Sequence, residues 1–138
     1  MKVYYSIIIL LISIIGISSC TKSKRCNNQP TRDLSSIDEE NVEYYTFYND
    51  TNWLKIPKYF TPNGDGVNDE LQSLTNNLES FQSIEFQINN KCRDRLYWSN
   101  FPEWDGDQFG VAKYEFEIEI KWGDGSITNE TGNIELLK

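Results

Sequence analysis

The sequence predicts a single domain folded as an all-β sandwich, and three observations carry that prediction. From Tyr114 to Trp122 the chain alternates strictly: Tyr114, Phe116, Ile118, Ile120 and Trp122 fall on one side, and Glu115, Glu117, Glu119 and Lys121 on the other. A period of two is the pattern of a strand with one face buried and one face wet. Elsewhere, short aromatic and β-branched runs are separated by Gly, Asn, Asp and Pro clusters, which read as strands and turns. No long stretch repeats its apolar residues at helical spacing, so sheet must pack on sheet.

Ahead of the domain, residues 1–19 read as a signal peptide. Lys2 supplies the positive start, and Ile7 to Ile15 is apolar except for Ser13. The run is shorter than the roughly 20 residues a spanning helix needs. It ends in Ile17-Ser18-Ser19-Cys20, which is similar to a bacterial lipobox, where the cysteine is diacylated and the chain cleaved just before it. The expectation is a lipid on Cys20 and a membrane-anchored outer-membrane lipoprotein. Both faces of that membrane stay open. Residues 20–36 are polar and read as a tether, beginning with the basic stretch Thr21-Lys22-Ser23-Lys24-Arg25, which suits anionic headgroups.

The sandwich is expected over residues 37–138. Val42 to Tyr48 and Trp53 to Phe60 read as strands, the second interrupted by Pro57, a residue at home on an edge or at a strand start. Leu71, Leu74, Leu78 and Phe81 fall at steps of three and four, as in one or two helical turns, but the Asn76-Asn77 pair and the short length argue for an irregular segment. Ile84 to Ile88 alternates and is a half-buried strand, Asn89-Asn90 turns, and Arg95 to Trp98 is the next strand. Gly123-Asp124-Gly125-Ser126 is a turn, after which Ile127 to Leu137 returns as the last strand.

Composition excludes several functions. The chain has no histidine, so histidine-based hydrolase triads and histidine-ligated zinc or iron sites are out. Its formal net charge is −8, and removal of Lys2 with the signal peptide makes it −9, a poor balance for nucleic acid. No pair of carboxylates stands out as an acid/base couple, and the chain reads as non-enzymatic. With Cys20 acylated, Cys26 and Cys92 remain. Export permits a disulfide between them, worth about 4 kcal/mol in the chain-entropy model; the alternative is two free thiols.

The stretch with most to say about function is Thr61-Pro62-Asn63-Gly64-Asp65-Gly66-Val67-Asn68-Asp69. Oxygen-bearing side chains at near-alternate positions, with glycines between, suit a loop wrapped around a hard cation. On the spacing of an EF-hand loop, Asn63, Asp65 and Asp69 are side-chain ligands and Val67 offers its carbonyl. Thr61 and Gln72 stand where the first acid and the final glutamate belong, so calcium needs a ligand from elsewhere, and Asp105 is the best placed in sequence. The competing reading is a tight turn held by its own side chains, and for Asp105 a plain Asp-Gly turn. Trp98 and Trp104, flanking Phe101-Pro102, are candidates for an exposed aromatic platform binding a glycan or peptide; core packing is the alternative.

Together these stretches resemble a known family. Ile56-Pro57, then Phe60 to Asp69, then Trp104-Asp105-Gly106 with Gly110, the aromatic pair Tyr114 and Phe116, and the terminal run Gly132 to Leu137 resemble the gliding motility-associated C-terminal domain, also described as the type B sorting domain of type IX secretion. The likeness spans residues 56–138. It departs at Asn90-Lys91-Cys92-Arg93, where the family's turn carries tryptophan and glycine, and at Lys113, where it has glycine. The resemblance implies an Ig-like β-sandwich read by an outer-membrane secretion system, with secretion-system or envelope proteins as partners.

Overall fold

The computed structural model describes residues 30–32 and 42–137. Its centre is β9 (Ala112–Trp122), whose inward residues Ala112, Tyr114, Phe116, Ile118, Ile120 and Trp122 are all buried. Such a strand must be paired on both edges and covered on one face. Antiparallel β10 (Ile127–Leu136) pairs one edge after the turn predicted at Gly123–Ser126, and antiparallel β6 (Phe81–Asn89) pairs the other. Beyond them lie β7 (Arg95–Ser99) and β3 (Tyr59–Phe60), giving the five-stranded order β3-β10-β9-β6-β7.

The cover is a smaller sheet of β1 (Tyr44–Asn49), β2 (Asn52–Pro57) and β5 (Leu74–Thr75). Leu54 and Ile56 of β2 join Phe86, Ile88, Phe116 and Ile118 in one core, and the Tyr45 ring stands edge-on to Phe116 at 5.1 Å. A two-stranded piece, β4 (Leu71–Gln72) with β8 (Glu103–Trp104), closes one corner. The fold is therefore the all-β sandwich the sequence predicts, without α-helix among the described residues.

One local expectation needs correction, and an open one is decided. The run Trp53 to Phe60 is not one strand but two in different layers. Proline has no N–H to donate, and β2 ends at Pro57. Lys58 then bridges the layers: its N–H donates to the Glu43 carbonyl (2.8 Å), and its own carbonyl accepts from Glu135 N–H (2.9 Å) in β10. The chain continues as β3, parallel to β10. Leu71 to Phe81 is the irregular segment that Asn76-Asn77 predicts, without an apolar helical face. Leu71 is buried in β4 while Leu74 and Leu78 are exposed. Asn76 Oδ1 accepts from Trp53 N–H (2.9 Å), and Asn77 caps a single 3-10 turn at Leu78–Ser80. The asparagines satisfy local backbone groups that a continuing helix would need.

Near the start of the described chain, Arg32 is docked rather than extended. Its backbone N–H (3.2 Å) and Nε (3.3 Å) both donate to Glu135 Oε2. Its guanidinium also reaches Glu43 at 3.7 Å and lies 5.7 Å from the Tyr59 ring centroid. Lys113 reaches the other oxygen of Glu135 at 3.2 Å, and Lys58 pairs with Glu43 at 3.0 Å. The end of the sequence-predicted tether is thus fastened to the sheet by a carboxylate that is only 8% exposed. Burial pushes the Glu135 carboxyl up, but the Arg32 N–H, the Lys113 ammonium and the charge of Arg32 outweigh it and hold the group below the ordinary glutamate value.

A group with a depressed folded pKa stabilises above its unfolded value and loses that contribution as pH falls through the folded one. Glu135→Gln is therefore expected to cost roughly 1–2 kcal/mol at neutral pH, with the gap to wild type closing below the ordinary glutamate range. Chemical denaturation across that pH window measures both.

Candidate functional site

The glycine loop leaves β3 at Thr61, whose N–H donates to Asn68 O (2.7 Å), closing the loop at its neck. Three residues have positive φ, Gly64 (80°), Gly66 (86°) and Asn68 (52°); glycine and asparagine are the residue types that tolerate this. The turned backbone aims its N–H groups inward. Asn63 N–H (3.0 Å) and Gly64 N–H (2.7 Å) donate to Asp69 Oδ1, and Gly66 N–H (2.8 Å) donates to Asp69 Oδ2. Two Asx turns stack beside them: Asp65 N–H donates to Asn63 Oδ1 (3.0 Å), and Val67 N–H donates to Asp65 Oδ1 (2.8 Å). Asn63 Nδ2 donates to Asp65 Oδ2 (2.9 Å).

The Asp69 carboxyl is held below the ordinary aspartate value by the N–H groups of Gly64 and Gly66 first, and then by that of Asn63. Converging donors of this kind make a nest for an anion. Here the anion is the chain's own side chain.

In a calcium cage oxygens converge on a point; here the side-chain oxygens meet the N–H groups of the loop. Asn63, Asp65 and Asp69 each direct side-chain oxygen at N–H groups of the loop, and the Val67 carbonyl faces the Thr61 hydroxyl at 3.4 Å. Asp105, expected to complete the shell, instead accepts from Asp107 N–H (3.3 Å) in its own turn. Glu70 accepts from the Gln72 side chain (3.1 Å). Among the described residues no group of three or more Asp, Glu, Cys or His side chains is placed to hold a metal ion. As arranged, the side-chain oxygens of Asn63, Asp65 and Asp69 are engaged by the loop's own N–H groups, the hydrogen bonding of a turn held by its own side chains.

Trp104 corrects another expectation. It is not exposed but 2% accessible, because β8 pairs Trp104 with Leu71 and turns the indole inward. Phe60 (5.3 Å), Tyr114 (5.2 Å), Phe109 (5.3 Å) and Tyr97 (6.4 Å) ring it. Gly106 follows with φ +67°, and a Cβ there would stand 2.5 Å from Leu136 Cδ1 and 2.7 Å from Phe60 Cζ. Trp104-Asp105-Gly106 is a packing motif. The residues that carry the resemblance, Phe60, Trp104, Gly106, Tyr114 and Leu136, meet at one corner of the sandwich.

Trp98 is the aromatic that does reach solvent, 47% exposed on β7. It borders a shallow groove of about 400 Å³ on the outer face of the five-stranded sheet, shared with Glu85, Gln87, Arg95, Glu117 and Glu119. Glu117 is pinned by Gln87 Nε2 (2.7 Å) and Asn89 Nδ2 (3.0 Å). Glu85 lies directly opposite Glu119, a like-charge pair that costs stability. The alternating glutamates are visible in the sequence; only the register, which composition does not reveal, sets two of them face to face.

Cys92, in the β6–β7 turn, is disulfide-bonded. Its expected partner Cys26 and the expected lipid site Cys20 lie outside the described residues. No family model, curated protein or solved structure matches the chain.

Asp69→Asn retains one acceptor oxygen but sets an amide N–H₂ against inward backbone donors, so a lower melting temperature is expected. The wild-type contribution of Asp69 is present above the ordinary aspartate value and is lost as pH falls below it. Calcium at several millimolar is expected to leave the wild-type melting temperature unchanged. A rise on adding calcium to wild type but not to Asp69→Asn would mean that the loop opens to take the ion.

Proposed function

We propose that this chain is a non-enzymatic outer-membrane lipoprotein whose sandwich is of the type B sorting kind, acting in type IX secretion, surface export or envelope assembly. The observation that supports it is the meeting of its motifs. Phe60 and Trp104-Asp105-Gly106 are far apart in sequence, yet they pack with Leu136 of the last strand into one corner. A likeness made of unrelated coincidences has no reason to converge in space. β1 and β2 belong to the same unit, since Leu54 and Ile56 are core residues. The functional module is thus the whole sandwich rather than residues 56–138 alone.

The test uses the full-length chain in a host with a working type IX system and in the same host lacking it. Protease added to intact cells is expected to cleave the protein only where the machinery is present. Equal protection or equal cleavage in both hosts overturns the sorting reading.

A second reading is favoured by the groove beside Trp98. A half-exposed indole next to polar and acidic side chains is a surface on which a glycan or an extended peptide can stack. On this reading Trp98→Ala abolishes binding to isolated envelope glycans or peptides while the melting temperature stays near wild type. Unchanged binding removes the reading.

A further inference from the structure

We propose that the β6–β7 hairpin tip is the membrane-facing end of the sandwich, with Lys91, Arg93 and Arg95 apposed to anionic lipid headgroups. The proposal rests on the reading of Cys20 as the lipid-bearing residue and adds an orientation to it.

The first restraint is a leash. Cys92 is disulfide-bonded, and the sequence holds two other cysteines, Cys20 and Cys26. A sulfur committed to a lipid thioether cannot also form a disulfide, which leaves Cys26. Six residue steps lead from Cys20 to Cys26 and span at most about 20 Å when fully extended. The central strand β9, 11 residues long, measures about 35 Å. A leash shorter than the domain, tied to the hairpin tip, sets which end lies close to the bilayer.

A second restraint is independent of the disulfide. Asn89, the last residue of β6, pairs with Glu115, which pairs with Asn133. Glu135 lies two residues further along β10, towards the same end of the sheet as the hairpin tip. Arg32 is fastened to Glu135 by two hydrogen bonds. The chain therefore enters the domain at the end that carries Cys92.

Charge supplies the third. Lys91, Arg93 and Arg95 are exposed within one short stretch of a protein whose net charge is −8. The acid among them, Asp94, is drawn into the turn: Asn90 Nδ2 donates to Asp94 Oδ2 (3.0 Å), and Asp94 N–H donates to Asn90 Oδ1 (2.9 Å). Cys92 N–H also donates to Asn90 Oδ1 (2.8 Å), and Arg93 N–H to the Asn90 carbonyl (2.8 Å). One asparagine thus holds the turn that presents the basic side chains. The glycine loop and the turn of Asp105 and Asp107 put acids at this same end, but beside β3 and β10, two or more strand spacings, about 10 Å or more, from β6. The other end of the sandwich carries Asp50, Glu79 and Asp124, all exposed. Anionic headgroups attract the hairpin tip within a Debye length of roughly 8–10 Å and repel the far end.

The experiment uses full-length processed protein in vesicles of phosphatidylethanolamine and phosphatidylglycerol doped with a headgroup-nitroxide lipid. A fluorescent amino acid is placed either at position 91 or at position 78, where Leu78 is exposed at the far end. Quenching is expected to be several-fold stronger at 91, and adding the double reversal R93E/R95E to the probe-bearing protein is expected to reduce that difference while the melting temperature holds. The mass of the N-terminal peptide is read on the same sample. A diacyl mass on Cys20 with equal quenching, or stronger quenching at 78, overturns the orientation alone. Absence of the diacyl mass overturns the lipid reading and the orientation with it.

Discussion

A strand with one wholly apolar face sets the terms for the rest of this molecule. β9 buries Tyr114, Phe116, Ile118, Ile120 and Trp122 on one side and presents charge on the other. Each large side chain taken from water contributes on the order of 1.5–3 kcal/mol, provided the face is covered by something equally apolar. β6 and β10 satisfy its edges, and Leu54 and Ile56 of the smaller sheet cover its face. Lys58 permits this, bonded by its N–H to one layer and by its carbonyl to the other. Without that crossover the second layer and the parallel strand β3 would not belong to the same core.

The corner built on the crossover gives the motif residues their physical meaning. Phe60 ends the crossover, Trp104 fills the space beside it, and Gly106 is a glycine because a Cβ would collide with both Phe60 and Leu136. The glycine loop projects from this corner and is held by hydrogen bonds from its backbone to its own carboxylate. Its backbone N–H groups gather around the Asp69 carboxylate. Two glycines and alternating acids are compatible with either sign, because the same positive-φ turns can point oxygens or N–H groups inward. Which of the two happens depends on the last acid. At Asp69 the side chain folds back into the loop it terminates.

What could be read from the sequence was whatever depends on nearest neighbours along the chain. The alternation of β9 and of Ile84 to Ile88, the turn at Gly123–Ser126 and the strand at Arg95 to Trp98 all appear where their patterns put them. What could not be read depends on partners distant in sequence. Pro57 marks a break, yet nothing local says that the chain changes layers there. Leu74 and Leu78 keep helical spacing with Leu71, but no surface waits to receive them. Trp104 is buried by its pairing with Leu71, and an isolated Trp-Asp-Gly says nothing of that. Glu85 and Glu119 face each other only through the register of β6 on β9, and Arg32 looks like tether until Glu135 is brought beside it.

The glycine loop is ordered from within, by its own carboxylate. Amide hydrogen exchange in metal-free buffer reads this directly, residue by residue. The amides of Gly64 and Gly66, on an exposed loop, are predicted to exchange slowly in the wild type and quickly in Asp69→Ala, with the β9 amides unchanged between the two. Fast exchange at Gly64 and Gly66 in the wild type, slowed only when calcium is added, would mean that a bound ion and not Asp69 orders the loop.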